Sequence, residues 1–499
     1  MQAPLRSIRQ DGAMNEAAGG QRHPGRTLLI LAFAGLAYAL AQTTLIPALP
    51  DMIRGLHTNE SGVTWTLTGY LVSAAVATPL VGRLGDIFGK RRLLVMALVC
   101  FAFGMLISAL SSDLWVVVAG RVVQGVGGGV FPLCFAIIRD ELPRERIGSS
   151  VGLMSSVAGI GGGLGFVVGG LLVDYGSYHA IFWVGAAMGA AGAVATHRYV
   201  PESPVRTPAS LDIRGGLVLA VGLILPLIAI AQANDVGWTS ARTLAMIAAG
   251  LLVLAYWPAL ERRTEEPLVD MTIFTSPRVL MTNAATLLVG FGMFGSLMLV
   301  STLAESPKST GYGFGLSATG AGLLLLPGSL VMLALGPLSG VIGARFGNKV
   351  SLGAGGIVTA IGLVLLAVAH GRRSEVLAFS IVMSGGTGLA FAAMPNLILE
   401  AVPSRQTGEA TGVNALVRAV GSALGSQVSA AVLAGSAVAG VATDAGYRNA
   451  FAISAAVVVA AGLVAARIPR APRVAHASVL AEVGAASPLP DPAYAQEEF

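Results

Sequence analysis

Hydrophobic residues in this chain are gathered into long runs, separated by short stretches that hold most of the charges and much of the glycine and proline. A run of about 20 apolar residues is the length of helix that crosses hydrocarbon. On that measure the pattern predicts fourteen helices, over residues 27–50, 63–84, 93–111, 114–138, 148–173, 180–200, 214–234, 241–260, 278–304, 318–343, 350–369, 376–400, 410–436 and 449–468. A twelve-crossing arrangement, with two of the helices buried but not spanning, stays open at this level.

Composition narrows the class. Of 499 residues only 11% are charged and 54% are hydrophobic, against about 25% charged in a soluble domain. Too few charges remain to cover a water-soluble body of this size. Disorder, a disulfide scaffold and an ordinary cytosolic enzyme are excluded. The formal charge of +5 is not a nucleic-acid footprint, because the basic residues sit in clusters between apolar runs. By position, about 23 of the 31 Lys and Arg residues fall in tails and loops on one side, about 6 on the other, and Arg121 and Arg418 lie within runs. That asymmetry places both termini in the cytoplasm. The first run continues to Leu49, about twice the length of a signal-peptide core, which favours an uncleaved first span. Cys100 and Cys134 both fall in apolar runs and carry no metal or disulfide spacing.

The chain also repeats itself. GRLGDIFGKRRLL (82–94) aligns with GVIGARFGNKVSL (340–352), and PRERIGSSVGL (143–153) with PSRQTGEATGV (403–413), at nearly the same separation. Two matches at nearly one offset predict a duplicated six-helix unit with an extra helix pair between the copies. Parallel repeats of this kind enclose a substrate site at mid-membrane. The expected organisation is a cytoplasmic tail over 1–26, a first bundle over 27–200, the inserted pair with its linkers over 201–277, a second bundle over 278–468, and an unstructured cytoplasmic tail over 469–499.

These residues resemble the major facilitator superfamily and, within it, the fourteen-span drug:proton antiporters. The passage Gly82-x-Leu84-x-Asp86-x-x-Gly89-Lys90-Arg91-x-x-Leu94 resembles the signature loop between spans two and three, and Arg121-x-x-Gln124-Gly125-x-Gly127 the fourth-span motif. Leu211-Asp212-x-x-Gly215 through Gly237-Trp238, Glu266 through Asp270 and Phe274, and Gly311-Tyr312 through Leu326-Pro327-Gly328 resemble the fourteen-span branch. The resemblance implies an all-α integral membrane protein of the major facilitator fold, two six-helix bundles plus two inserted helices. It implies a monomeric exporter of small amphipathic compounds in the bacterial inner membrane, working with protons, without cofactor, metal or nucleic acid.

It also implies roles for residues. Asp86 latches the halves together, with the start of span thirteen near Gly408 as acceptor and Arg139 and Asp140 completing the network. Lys90 and Arg91 anchor the loop, and Ala344 stands in the second repeat where Asp86 stands in the first. Arg121 corresponds to the family's proton-coupling arginine. Gly161, Gly165, Gly169 and Gly170 resemble the antiporter motif of span five, with Phe166 where proline is usual. An arginine inside a span is costly unless it faces water or a partner, which makes Arg121 and Arg418 candidates in their own right; Asn414 lies one turn before Arg418. Structural roles remain open for each: bonding between helices for the arginines, packing for the glycines, topology for the loop. Tyr38, Trp65, Tyr70 and Phe131 are candidate cavity aromatics.

The family's first-span acid is missing, since Ala41 occupies that place, and no acid lies near the middle of a predicted span. Arginine does not titrate at physiological pH, so coupling is expected to run through a span-end carboxylate (Asp51, Asp174 or Glu305 outside, Asp140 or Glu400 inside) whose pKa is raised by burial, or to be weaker than is usual in the family. A cavity with Arg121, Arg418, Gln42, Gln124, Asn283 and Asn414 and no central acid disfavours dications, because a cation beside unpaired arginines is costly to desolvate. Neutral, zwitterionic or anionic amphiphiles are expected substrates. A proton-independent facilitator and a receptor that does not transport are the alternatives.

Overall fold

The computed structural model describes residues 24–203, 212–438 and 441–469; both predicted tails lie almost wholly outside them. The described chain is almost entirely helical: α1 (Pro24–Thr43), α2 (Leu49–Gly55), α3 (Glu60–Phe88), α4 (Lys90–Ala109), α5 (Leu114–Gly125), α6 (Val130–Glu141), α7 (Arg144–Asp174) and α8 (Tyr178–Tyr199) form the first bundle. The inserted pair is α9 (Ile213–Val236) and α10 (Ala241–Glu261), followed by the single turn α11 (Met271–Phe274). The second bundle comprises α12 (Pro277–Glu305), α13 (Ala318–Phe346), α14 (Asn348–Val368), α15 (Arg373–Ala401), α16 (Thr407–Gly435) and α17 (Asp444–Ala466). Among the described residues, fourteen stretches are long and apolar enough to cross a membrane, α9 and α10 among them.

Local chemistry sets the ends. Side chains of Asn59, Asp113, Asp212, Ser240, Ser317 and Thr443 accept the first free N–H groups of their helices. Gly89 and Gly347, repeat partners with φ of 110° and 93°, end α3 and α13 and let α4 and α14 start in the next residue. The first predicted run is not one helix. Pro47 and Pro50 cannot continue the ladder of α1, so the chain passes through a 3₁₀ turn, Ile46–Ala48, into α2. The fourth run is likewise divided, by the 3₁₀ turn Val126–Gly129 between α5 and α6.

Two helix pairs join the bundles, and they join them differently. α7 and α13 run together for their full length. A Cβ on Gly152 would strike the backbone of Gly336, one on Gly340 the backbone of Gly148 and one on Gly170 the Thr319 side chain, while Ser156 donates to the Met332 carbonyl at 3.1 Å. α3 and α16 meet closely toward the end that carries the basic loops, where Gly82 abuts Gly408 and Gly412 abuts Pro79. Farther along, the glycines of α16, Gly421 and Gly425, abut Leu287 and Phe291 of α12, and Gly69 of α3 abuts α5. The inserted pair covers this second junction. Leu219, Leu223 and Trp257 bury with Ala75 of α3, Val413 and Leu416 of α16, and Leu268, Val269 and Met271 of the following linker.

Candidate functional site: a central cavity and the clasp beneath it

Where α6, α7, α15 and α16 converge, the bundles enclose a cavity of about 20 Å3, lined by Phe131, Phe135, Ser155, Ala158, Phe391, Met394, Pro395, Thr411, Asn414, Ala415 and Arg418. That is room for about one water molecule. The register that pairs Gly148 with Gly408 also pairs Phe131 with Phe391, Phe135 with Pro395, Ser155 with Ala415 and Ala158 with Arg418. Both members of each pair line the cavity, which therefore sits on the axis relating the repeats. Only Phe131 and Phe391 are the same residue in both repeats, and only the second repeat supplies a charge.

Arg418 is half-buried, with its guanidinium carbon 4.6 Å over the Phe391 ring. Its guanidinium makes no hydrogen bond or ion pair with another described residue. Asn414 donates to Asn283 Oδ1 at 2.8 Å and Thr286 Oγ1 at 2.9 Å, binding α16 to α12. Arg121 is 1% exposed and turns into the first bundle rather than into the cavity. Its Nε donates to the Thr66 carbonyl at 2.9 Å, Nη1 to Gln124 Oε1 at 2.6 Å, and its Cζ lies 4.3 Å over the Tyr70 ring. No carboxylate pairs with either arginine among the described residues; each guanidinium lies over an aromatic ring, and Arg121 adds the two hydrogen bonds above. Tyr38 packs 6.1 Å from both Tyr70 and Phe131, linking the Arg121 environment to the cavity wall. Gln42 and Trp65 are half-buried. Gly161, Gly165 and Gly169 face Ala39, Thr43 and Thr44 at the end of the first span, and Thr43 donates to the Gly161 carbonyl at 3.0 Å.

Below the cavity, at the basic end, lies a dense polar clasp. Asp86 accepts the backbone N–H groups of Gly408 at 3.2 Å and Glu409 at 3.0 Å, at the start of α16, where the helix dipole also favours an anion. Lys90 lies 3.8 Å from Asp86 and pairs directly with Asp140, which also accepts from Ser203. Arg139 reaches the other bundle, donating to the Val402 carbonyl at 2.8 Å and Thr407 Oγ1 at 2.9 Å. Arg91 lies 3.6 Å from Glu202, on the first bundle's own flank. The second repeat echoes part of this, since Asn348 donates to Glu400 at 2.6 Å where Lys90 meets Asp140. With Ala344 at the place of Asp86, no side chain among the described residues caps Gly148 in the same way.

Five further residues join this clasp. Arg83 pairs with Glu409 at 3.0 Å with both side chains nearly buried. Glu409 also accepts the Asp270 N–H at 2.7 Å, and Gln406 donates to the Asp270 carboxylate at 3.3 Å. Glu261, at the end of α10, accepts the Val269 N–H at 3.1 Å. The linker after the inserted pair is thus tied into the clasp. Burial pushes the Asp270 carboxyl up, but bonds from the Thr272 hydroxyl and amide and from Gln406 outweigh it and hold it below the usual carboxylate range. Glu409 was hidden because it sits at a predicted span boundary, where a carboxylate reads as solvated. Asp51 and Glu305 lie elsewhere, Asp51 paired with Arg54 and Glu305 accepting from Ser301 at 3.1 Å.

Two repeated helical bundles around a cavity on their shared axis, closed at one end by a polar clasp, define a membrane transporter. The sequence family described as the Major Facilitator Superfamily matches residues 31–426 and, in a second overlapping match, 284–492. The chain belongs to that superfamily. Its relatives include the multidrug resistance protein Stp of Mycobacterium tuberculosis, 29% identical over 390 residues (78% of this chain, 72% of Stp). The tetracenomycin C resistance and export protein of Streptomyces glaucescens is 29% identical over 429 residues (85% of this chain, 78% of that protein). Both of these relatives are named for resistance to, or export of, drug-like compounds. Among solved structures it resembles the human organic anion transporter MFSD10 (TM-score 0.63, 16% identity, 89% of this chain and 100% of that one). The proton:xylose symporter XylE is equally similar in shape (TM-score 0.63, 15% identity, 90% and 96%).

Proposed function

We propose that this protein exports small amphipathic compounds across the bacterial inner membrane by alternating access in exchange for protons, acting as a monomer with both termini in the cytoplasm. The observation that carries this reading is the position of the cavity on the repeat axis, directly above a clasp whose bonds cross between bundles. Breaking the clasp parts α3 from α16 and opens the cavity to the side of the basic loops, while α7 and α13 stay in contact. Export by relatives such as the tetracenomycin C protein supports the direction of transport.

Proton exchange needs a group that changes charge as the bundles move. The cavity lining holds no carboxylate, and arginine keeps its proton. We place coupling on Asp86 and Glu409, which lie between the bundles beside Arg83 and Lys90, rather than on Asp51 or Glu305. Protonating either acid weakens the bonds that hold the clasp shut. Reconstituted vesicles test this: an imposed proton gradient is expected to drive uphill drug movement that a protonophore abolishes. Flux that is insensitive to the protonophore would leave a facilitator, and binding without flux a receptor.

A further inference from the structure

We infer that Arg418 reads the charge of the substrate and that the compounds carried are aromatic monoanions of the carboxylate type, bound between Arg418 and Ser155. This rests on the transport reading and narrows its substrate class.

Two groups in the cavity wall lack partners. Arg418 has only the Phe391 ring against it. Ser155, on the opposite bundle, is fully buried, and its hydroxyl has no hydrogen-bond partner. The remaining polar groups of the lining are engaged: Thr411 donates to the Thr407 carbonyl at 2.6 Å, and both Asn414 N–H groups are spent on α12. The donors open to a ligand are therefore a guanidinium from the second bundle and a hydroxyl from the first. A guanidinium without a counter-charge deep in a membrane protein is expensive, and no acid in the lining relieves it. An anion does, and its planar carboxylate matches the guanidinium fork. A cation adds repulsion to desolvation. Phe131, Phe135 and Phe391 leave a ring-lined slot beside that fork, suited to an aromatic body. In the present conformation the slot admits only about one water, so the acid enters when α3 and α16 part. Because Arg418 and Ser155 belong to different bundles, one carboxylate held by both bridges the two moving halves.

The test uses the full-length protein in proteoliposomes with three probes of one shape: 2-naphthoate, 2-naphthylmethanol and 2-naphthylmethylammonium. The unaltered protein is expected to move naphthoate about tenfold or more faster than the ammonium compound. Arg418→Gln is expected to cut naphthoate flux about ten- to a hundredfold, the weight of a charge-assisted hydrogen bond, while naphthylmethanol flux changes little. Arg418→Lys keeps the charge without the fork, is expected to retain intermediate naphthoate flux, and gives the answer if the glutamine variant is not recovered folded. Ser155→Ala is expected to weaken naphthoate more than naphthylmethanol. Preference for the ammonium compound, or naphthoate flux indifferent to both Arg418 variants, overturns the inference. If naphthoate is not carried but the cationic dye ethidium is, the inference fails and the transport reading survives. If folded protein moves none of the four compounds, both fall.

Discussion

The Arg83 guanidinium and the Glu409 carboxylate meet 3.0 Å apart across the junction of the two bundles, with side chains only 9% and 5% exposed. Glu409 is held on its other side by the Asp270 N–H, so one carboxylate ties together both repeats and the inserted segment. Removing one partner of such a pair leaves a buried charge without compensation, which costs about 3–5 kcal/mol. Arg83→Met and Glu409→Leu are each expected to lower thermal stability in detergent by that order. The double variant is expected to recover most of the loss. Equal and additive losses would show that the pair does not act as a unit.

Asp86→Asn keeps the shape but removes the charge that Gly408 and Glu409 bond to. A buried charge-assisted bond contributes about 1.5–3 kcal/mol, enough to shift the balance between closed and open clasp severalfold or more. With Cys100 and Cys134 replaced by serine or alanine, a cysteine placed at Ser155 is expected to become more reactive toward a thiol reagent added on the side of the basic loops. Ala344→Asp, in the second repeat, is expected not to reverse the effect, since it lies on α13 and not at the α3/α16 junction.

Gly82→Ala drives a methyl group into the Gly408 carbonyl, and Gly340→Ala drives one into Gly148. Overpacking of this kind costs about 1–3 kcal/mol. Both variants are expected to lose transport and closed-state stability, whereas Gly353→Ala and Gly462→Ala, with no neighbouring atom within 4 Å of the new methyl group, are expected to keep both. Loss of transport in the latter two would point to a general intolerance of added methyl groups.

Asp270 gives a pH dependence. Its carboxyl is held below the ordinary range in the folded protein, so the contribution of its bonds to stability is complete above the unfolded pKa, about 3.9. It disappears as pH falls through the lower folded value. The difference in melting temperature between the unaltered protein and Asp270→Asn is therefore expected to be greatest near neutral pH and to shrink below about pH 4. A gap that widens on acidification would contradict the assignment.

The helices, their number and the repeat were legible in the sequence because apolar length and turn glycines are local properties. The lining of the cavity was only partly so. Phe131, Asn414 and Arg418 were visible as unusual residues in spans, yet Arg121, the most unusual, turns away to Thr66 and Gln124. Which face of an apolar helix meets a neighbour is decided by packing, and a uniformly hydrophobic helix leaves no stripe to read. Glu409, Arg83 and Asp270 were hidden for a different reason: each looks like an ordinary charge near a helix end until the fold puts the three ends together.

The close-packed line of small residues between α7 and α13 is crossed by no ion pair among the described residues, whereas the α3/α16 side concentrates its charges in one patch. In the proposed alternating-access cycle this contrast makes the molecule a door, with a greased hinge along one edge and its lock on the other. Most of the polar work of opening would then be gathered at that lock. On that proposal, a compound that wedges beside Gly82 and Gly408 would have only to jam one small mechanism to stop the whole cycle, without competing with cargo for the central chamber.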